Sequence, residues 1–332
     1  MNFWNFIMSL FLSIYYALFP QAKSDSNVFL VSEVQQELNQ AVRNSVRIQM
    51  QPCDGRPLPV GVSKFGGEPD VPEAFEWPYC QLENKAEGVV SSEPLMLLMQ
   101  MNLAEVHPFD AAGELPESGM LYFFCGMESL YDDFTGDLGS VRVLYFPGDP
   151  ATFQRRAFPQ DLAEENRPPA VRLTFSEQPD MPGLEYFMVN HMEYFVNDNS
   201  MDETMQAQYD AEVESRGYVT GFCWNEAAYN CAIFKLLGYG DAVQNDVLYD
   251  RAGAELFART GTCPKTEEIV SEARDWCLLF QMDSIWANRE EVYPNGEYEL
   301  LFGDVGRLYF CIRKDDLAAR RFDRARVVFQ WY

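Results

Sequence analysis

Residues 97–102 read LLMQMN and residues 278–283 read LLFQMD, so four of six positions are identical between two stretches that start 181 positions apart. Both stretches are apolar apart from a Gln at the fourth position and an Asn or Asp at the sixth. Each predicts a β-strand. Because alternate residues of a strand share a face, the two polar side chains of each copy point the same way.

Two further pairs of motifs flank this repeat in the same order. Downstream, GMLYFF at 119–124 matches GRLYFC at 306–311. Upstream, three residues of one half correspond to three of the other: Lys64, Gly67 and Asp70 to Lys235, Gly238 and Asp241. Three motifs in one order, with slowly drifting offsets, indicate an internal duplication with halves at about 45–147 and 168–332. Coincidental similarity of strand-like segments is the alternative.

The rest of the pattern predicts a mixed domain. Helices are predicted at 28–43, where Ser26 supplies a cap, and at 201–216 and 266–274. Strands are predicted at 45–50, 95–102, 119–125, 141–146, 171–175, 276–283, 307–312 and 326–332. We therefore expect an α+β fold over residues 25–332, an internally duplicated, strand-rich domain with helices packed on the sheet.

Composition narrows the classes of function. The 332 residues include 25 Lys and Arg against 51 Asp and Glu, a formal charge of -26. This charge repels nucleic acid and favours a basic protein as partner, although it also simply keeps the protein soluble. His107 and His191 are the two histidines of the chain, and none of its eight cysteines forms a C-x-x-C pair. We therefore expect neither a metal site nor a cofactor.

The first 24 residues form an apolar extension. Residues 3–19 carry no charge and their polar side chains are Asn5, Ser9 and Ser13. The segment resembles a signal sequence or a short anchor, and we favour export or anchoring over a cytoplasmic location. Since the polar residues recur every four positions, a packed amphipathic helix is the alternative. Membrane contact is expected, if at all, only through residues 1–24.

Several motifs together resemble the YwqG-like family. They are SKFGGEPDVP at 63–72, the segments at 94–102 and 115–124, the Lys-Gly-Tyr element at 235–244, LLFQMDS at 278–284 and GDVG at 303–306. The resemblance covers about residues 26–332. It implies a mostly bacterial group of proteins with an α+β fold and no established activity.

Candidate ligand-binding residues come from the repeated motifs. They are Lys64, Gly66, Gly67, Gln100, Asn102, Lys235, Gly238, Gln281, Asp283 and Asp304. If the halves are related by a two-fold axis, the polar strand residues could converge on a shared cleft. The alternatives are that these side chains bond to neighbouring loop backbone, that the glycines serve turns, and that Lys64 and Lys235 pair with a carboxylate such as Asp304.

No sequence motif of a common hydrolase or transferase is present. We therefore expect a non-enzymatic binding protein that takes a protein or a small polar ligand, either at its acidic surface or in the cleft between the halves. The alternative is a hydrolase-like enzyme that uses Asp283 and Asp304 as an acid-base pair.

Overall fold

The computed structural model describes residues 33–51, 56–84, 89–131, 133, 139–191, 194–197, 200–215, 234–285 and 298–331. The chain divides into two units, residues 1–40 and 41–332. In the first unit the described residues belong to helix α1 (Glu33–Ala41), in which Val34 and Leu38 are one turn apart. The helix predicted at 28–43 is found over this part. The apolar extension lies outside the described residues.

Strands dominate the described part of the second unit. They are β1 (Arg43–Met50), β2 (Lys64–Phe65), β3 (Asp70–Val71), β4 (Tyr79–Asn84), β5 (Val89–Pro94), β6 (Met96–Asn102), β7 (Met120–Cys125), β8 (Val141–Phe146), β9 (Gln154–Arg155), β10 (Val171–Asp180), β11 (Phe195–Asn197), β12 (Ser200–Met201), β13 (Phe234–Leu237), β14 (Trp276–Asp283), β15 (Arg307–Arg313) and β16 (Arg326–Gln330). The α-helices are α2 (Leu103–Val106), α3 (Leu184–Asn190), α4 (Glu203–Ser215), α5 (Val247–Thr260), α6 (Thr266–Ala273) and α7 (Lys314–Ala318).

Ten of these strands pair in one antiparallel sheet, in the order β8-β7-β6-β2-β10-β1-β13-β14-β15-β16. The central strands β1 and β10 pair from Arg43 opposite Asp180 to Met50 opposite Leu173. β1 also pairs with β13, and β10 also pairs with β2. Each central strand therefore contacts a strand of the other predicted half.

The sheet is nearly closed, and its inner face holds the main core. The ring of Phe123 on β7 lies 4.4 Å from that of Phe280 on β14 and 5.2 Å from that of Phe310 on β15, centroid to centroid. At the rim, Tyr145 of β8 lies 5.4 Å from Phe322, which precedes β16. These aromatic contacts join strands that are far apart in the sheet order.

Different segments cover the outer face on the two sides. Over β7, Phe75 and Trp77 pack on Phe124, with ring centroids 6.2 and 5.7 Å away. Over β14 and β15, Val247 of α5 joins an apolar cluster with residues of both strands. Both faces of β7 and β14 are therefore covered, and every residue of these two strands is buried.

The predicted elements compare well with those observed. The strands predicted at 45–50, 95–102, 119–125, 141–146, 276–283 and 307–312 are confirmed within two residues. Helix α5 was not predicted, although its end signals are present in the sequence. The side chain of Asp246 accepts a hydrogen bond from Tyr249 N, and Gly261 ends the helix at φ +70°. The class is a strand-rich α+β fold.

Candidate functional site

Three buried residues, Lys64, Asp70 and Gln100, form a group with the more exposed Arg155, and we call these four residues the Lys64 cluster. Lys64 lies opposite Gln100 in the pairing of β2 with β6. Lys64 Nζ lies 3.3 Å from Asp70 Oδ2. Gln100 Nε2 donates to Asp70 Oδ2 at 2.9 Å, and Arg155 Nε donates to Asp70 Oδ1 at 2.9 Å. The Asp70 carboxylate, which has no solvent exposure, is therefore fully paired.

The second half holds a similar group, the Lys235 cluster: Lys235, Asp180, Asp241 and Gln281. Lys235 lies opposite Gln281 in the pairing of β13 with β14. Lys235 Nζ lies 2.9 Å from Asp180 Oδ2 and 2.8 Å from Asp241 Oδ2. Gln281 Nε2 donates to Asp241 Oδ2 at 2.9 Å. A buried ammonium thus joins two carboxylates.

Hydrogen bonds around the glutamine agree between the two clusters. In each, the backbone N–H of the aspartate that follows the glycines donates to the glutamine Oε1 at 2.8 Å. A tyrosine of the next strand, Tyr122 or Tyr309, donates its hydroxyl to the carbonyl of that aspartate. The register of the next strand pair shifts at corresponding points, after Leu97 in one and after Leu278 in the other. In both places the cluster fixes a glycine-containing loop on the outer face of the sheet.

The two clusters differ in charge. Lys64 and Arg155 share one carboxylate, whereas Lys235 faces two. Burial lowers the pKa of Lys64 from 10.5 to about 8, because the attraction of Asp70 offsets only part of it. Burial also lowers the pKa of Lys235, but Asp241 and Asp180 outweigh this and raise the pKa above its ordinary value. The Lys64 ammonium is therefore held at a cost to stability, and the Lys235 ammonium is not.

We expect the wild-type protein to gain stability relative to Lys64→Met as the pH rises from about 8 to 10.5. In this window the unfolded chain binds more protons at Lys64 than the folded protein does, so the free energy of unfolding rises with pH. The gain should reach up to about 3 kcal/mol. Urea unfolding at several pH values measures it. Lys265→Met, at an exposed lysine, is the control, and an equal pH response of wild type and Lys64→Met would refute the expectation.

Asp283 and Asp304, the predicted catalytic pair, are placed differently. Asp283 is buried, and its Oδ1 lies 3.1 Å from Arg307 Nε. Asp304 is exposed in the turn between Phe302 and Gly306. Lys64 pairs with a carboxylate, as in the alternative account of this lysine, but the carboxylate is that of Asp70 and not that of Asp304.

The polar strand residues lie in separate places. Gln100 and Gln281 belong to the two clusters, and the four strands β2, β10, β1 and β13 lie between β6 and β14 in the sheet. Asn102 donates to Gly61 O at 2.8 Å and accepts from Ala104 N at 3.1 Å, which caps α2. These amide side chains therefore hydrogen-bond to the backbone of neighbouring loops, which is the alternative to a shared cleft.

Gly66, Gly67 and Gly238 all have positive φ, at +57°, +67° and +73°. Such values disfavour any side chain. A Cβ added to Gly238 would lie 2.2 Å from Asp180 Oδ2. At these positions glycine serves the turn and leaves room for the buried cluster.

A pocket of about 700 Å³ lies elsewhere, between the two predicted halves; we call it the basic pocket. It is lined by Val42, Arg43, Asn44, Ala112, Gly113, Glu114, Leu115, Cys277, Lys314, Leu317, Ala318 and Arg320. Its volume is within the range of about 300–1,000 Å³ that is typical of small-molecule sites. The pocket combines an apolar floor with charged groups at its opening.

Charge distinguishes this pocket from the rest of the chain. Arg43, Lys314 and Arg320 face a single carboxylate, that of Glu114, in a protein with a formal charge of -26. Partial burial and the nearby Asp110 raise the pKa of Glu114, an effect that Arg43 and Lys314 oppose. Among the lining residues the balance of formal charge is therefore positive.

Sequence reasoning missed the three cations of this pocket. One signal was available: seven of the 25 basic residues of the chain lie between Arg307 and Arg326. The remaining lining residues come from β1, from the loop before β7 and from β14. Only the closing of the sheet brings these segments together.

Neither a metal-ion site nor a membrane-spanning helix is found among the described residues. Among them no three His, Cys, Asp or Glu side chains are grouped in a way that could hold a metal ion. Nor does this part of the chain contain a helix long and apolar enough to cross a membrane.

Comparison with protein families gives a match over most of the chain. A family model described as "Domain of unknown function (DUF1963)" matches residues 63–331. The match includes the Lys64 and Lys235 clusters and most of the lining of the basic pocket. No curated protein matches the chain.

Proposed function

Since the chain belongs to the family described as a domain of unknown function (DUF1963), whose description names no activity, we propose from the geometry of this protein that it is a non-enzymatic binding protein. Its ligand is a small polar molecule that occupies the basic pocket. The observation that carries the proposal is the pocket itself, which has the size of a ligand site and is lined by both predicted halves.

The state of the thiols and of Asp283 favours a binding function over an enzymatic one. Burial raises the pKa of the Cys277 thiol, in the pocket floor, to about 12, and it also raises the pKa of the thiols of Cys80, Cys125 and Cys311. A thiol is nucleophilic as the thiolate, so these four side chains are poor nucleophiles at neutral pH. Asp283 is held in its ion pair with Arg307. The hydrolase-like alternative therefore loses Asp283, one of the two carboxylates that it requires.

We also propose that the chain is a YwqG-like member of the family and that its two halves arose by internal duplication. The matching hydrogen bonds of the Lys64 and Lys235 clusters support the duplication, as does the order of the strands, which is similar on either side of β1 and β10. The basic pocket is then a feature of the junction between halves.

A screen of small polar ligands against the full chain tests the proposed function. A ligand present at about 100 times its Kd should raise the free energy of unfolding by about 2.7 kcal/mol, which a thermal unfolding screen detects. Ala318→Trp fills the pocket and should abolish the effect. Ala258→Trp places the same side chain at an exposed position of α5 and should not.

Two results would overturn this proposal. One is that every ligand found in the screen still stabilises the Ala318→Trp variant, because such ligands bind outside the pocket. The other is a turnover that Asp283→Asn lowers by roughly 10² to 10⁴, which would favour the enzyme instead.

A basic protein that docks on the acidic surface is a second candidate partner, and the charge of -26 favours it. Screening has a length of about 8 Å at physiological ionic strength, so capture of such a partner should fall steeply as salt rises.

A further inference from the structure

We propose that the basic pocket selects organic anions: a carboxylate or phosphate group held by Arg43, Lys314 and Arg320, joined to an apolar body that lies on the pocket floor. Arg320 is the residue that sets the preference for an anion over a neutral molecule. This inference rests on the proposed function and adds the class of ligand to it.

The three cations form no close ion pair with a carboxylate of the described residues, although Glu114 lies near Arg43 and Lys314. Within the described residues none of them has a carboxylate oxygen within 4.0 Å. The guanidinium of Arg43 lies 4.8 Å from the ring centroid of Tyr239, and Lys314 Nζ donates to Arg274 O at 2.6 Å. Neutral groups therefore hold two of the cations, and the positive charge remains for a ligand.

The floor of the pocket is apolar. Leu115, Cys277 and Leu317 are 5, 7 and 5 % exposed, and all three line the pocket. Together with the more exposed Val42, Ala112 and Ala318, they give the pocket an apolar surface. A small hydrated ion would leave this surface in water, whereas an aromatic or aliphatic body would cover it. The lining therefore fits an anion that carries an apolar part.

Arg320 occupies a backbone position that favours glycine. It follows α7 at φ +59°; its N–H donates to Leu317 O at 2.9 Å, and the N–H of Arg321 donates to Asp316 O at 2.8 Å. These two hydrogen bonds form a Schellman motif, in which the left-handed residue is usually glycine because a Cβ is disfavoured there. At the end of α5, Gly261 has this conformation at φ +70°.

A side chain at such a position is retained at a cost to stability. Residues in disfavoured conformations cluster at sites of function, where the side chain is needed for something other than folding. Arg320 shares this costly conformation with Leu237 and Val305 among the described residues, and of these three it is the one that lines the pocket. These two observations are independent, and both point to a role in binding.

Three probes with the same ring test the class of ligand: benzoate, phenyl phosphate and benzamide. Titration calorimetry on the full chain should give at least tenfold tighter binding of one or both anions than of benzamide. The stronger of the two anions names the charged group. Binding of both anions should be lost in Ala318→Trp, which separates the pocket from other sites.

Arg320→Gly then tests the selecting residue. Affinity for the better anion should fall about tenfold, affinity for benzamide should stay unchanged, and the thermal midpoint should stay the same or rise by roughly 1–3 °C. Loss of binding in a variant that is at least as stable as wild type cannot come from misfolding. Arg156→Gln removes one charge at an exposed position outside the pocket and should change neither affinity nor midpoint.

The possible negative results distinguish the anion preference, the role of Arg320 and the proposed function from one another. Benzamide binding in the pocket as tightly as the anions would overturn the choice of anions and leave the proposed function intact. An unchanged anion affinity in Arg320→Gly, or a midpoint several degrees lower, would overturn the role of Arg320. If none of the three probes binds and the wider screen finds no ligand that Ala318→Trp displaces, both proposals fail.

Discussion

Replacing Lys235 with methionine is expected to lower the free energy of unfolding by about 3–5 kcal/mol. Lys235 is 4 % exposed, and its ammonium lies within 2.9 Å of both Asp180 and Asp241. Methionine has a similar length but no charge, so the buried Asp180 and the partly buried Asp241 would face each other without the cation between them. Urea unfolding of the full chain at neutral pH measures the loss.

The pH dependence identifies the cause of this loss. Without Lys235 the pKa of both carboxylates rises in the folded state, so the folded variant takes up protons more readily than the unfolded chain. The gap in stability between the wild type and Lys235→Met should therefore narrow as the pH falls from about 7 to about 4. Lys265→Met, at an exposed lysine, should cost less than about 0.5 kcal/mol. A loss below about 1 kcal/mol in Lys235→Met would refute the account.

Gly238→Ala is expected to cost about 2–4 kcal/mol, the sum of a disfavoured backbone and a steric overlap. The φ of Gly238 is +73°, and an added Cβ would lie 2.2 Å from Asp180 Oδ2 and 2.9 Å from Ser45 Cβ. Asp180 cannot move away without lengthening its contact with Lys235. Thermal and urea unfolding both measure the effect.

Gly261→Ala separates the two contributions. Gly261 has a nearly equal φ of +70°, but in the described part of the chain no atom beyond its two chain neighbours lies within 4 Å of its added Cβ. In this control the free energy of unfolding should fall only by the cost of the disfavoured backbone conformation, about 1 kcal/mol. Equal losses in the two variants would show that the steric overlap with Asp180 does not contribute.

Much of the fold could be predicted because apolar runs are local signals. The strands at 96–102, 120–125 and 276–283 lie in long apolar runs, and the sequence identifies them almost to the residue. β2 and β13 have two and four residues, too few for a periodic pattern. In the sheet, Lys64 of β2 lies opposite Gln100 and Lys235 of β13 lies opposite Gln281, and these cross-strand pairs are not visible in the sequence.

The candidate site was harder to predict than the fold. Gln100 and Gln281 were recognised as polar groups in apolar strands, but whether such a group meets a ligand or its own loop depends on the segment that covers it. Arg43, Lys314 and Arg320 carried no motif, and they come together because the sheet closes. A residue such as Arg320 is visible only when its backbone angle is known.

The exchange of β1 and β10 between the two predicted halves has a consequence for synthesis on the ribosome. When the chain has been made as far as β8, every strand of the first half exists, yet β2 still has one open edge. That edge is filled only by β10, and β1 likewise waits for β13, which begins at Phe234. Neither half can therefore finish its sheet as an early, separate unit. The nascent chain must therefore keep an unpaired strand edge from aggregating until β13 has emerged from the ribosome.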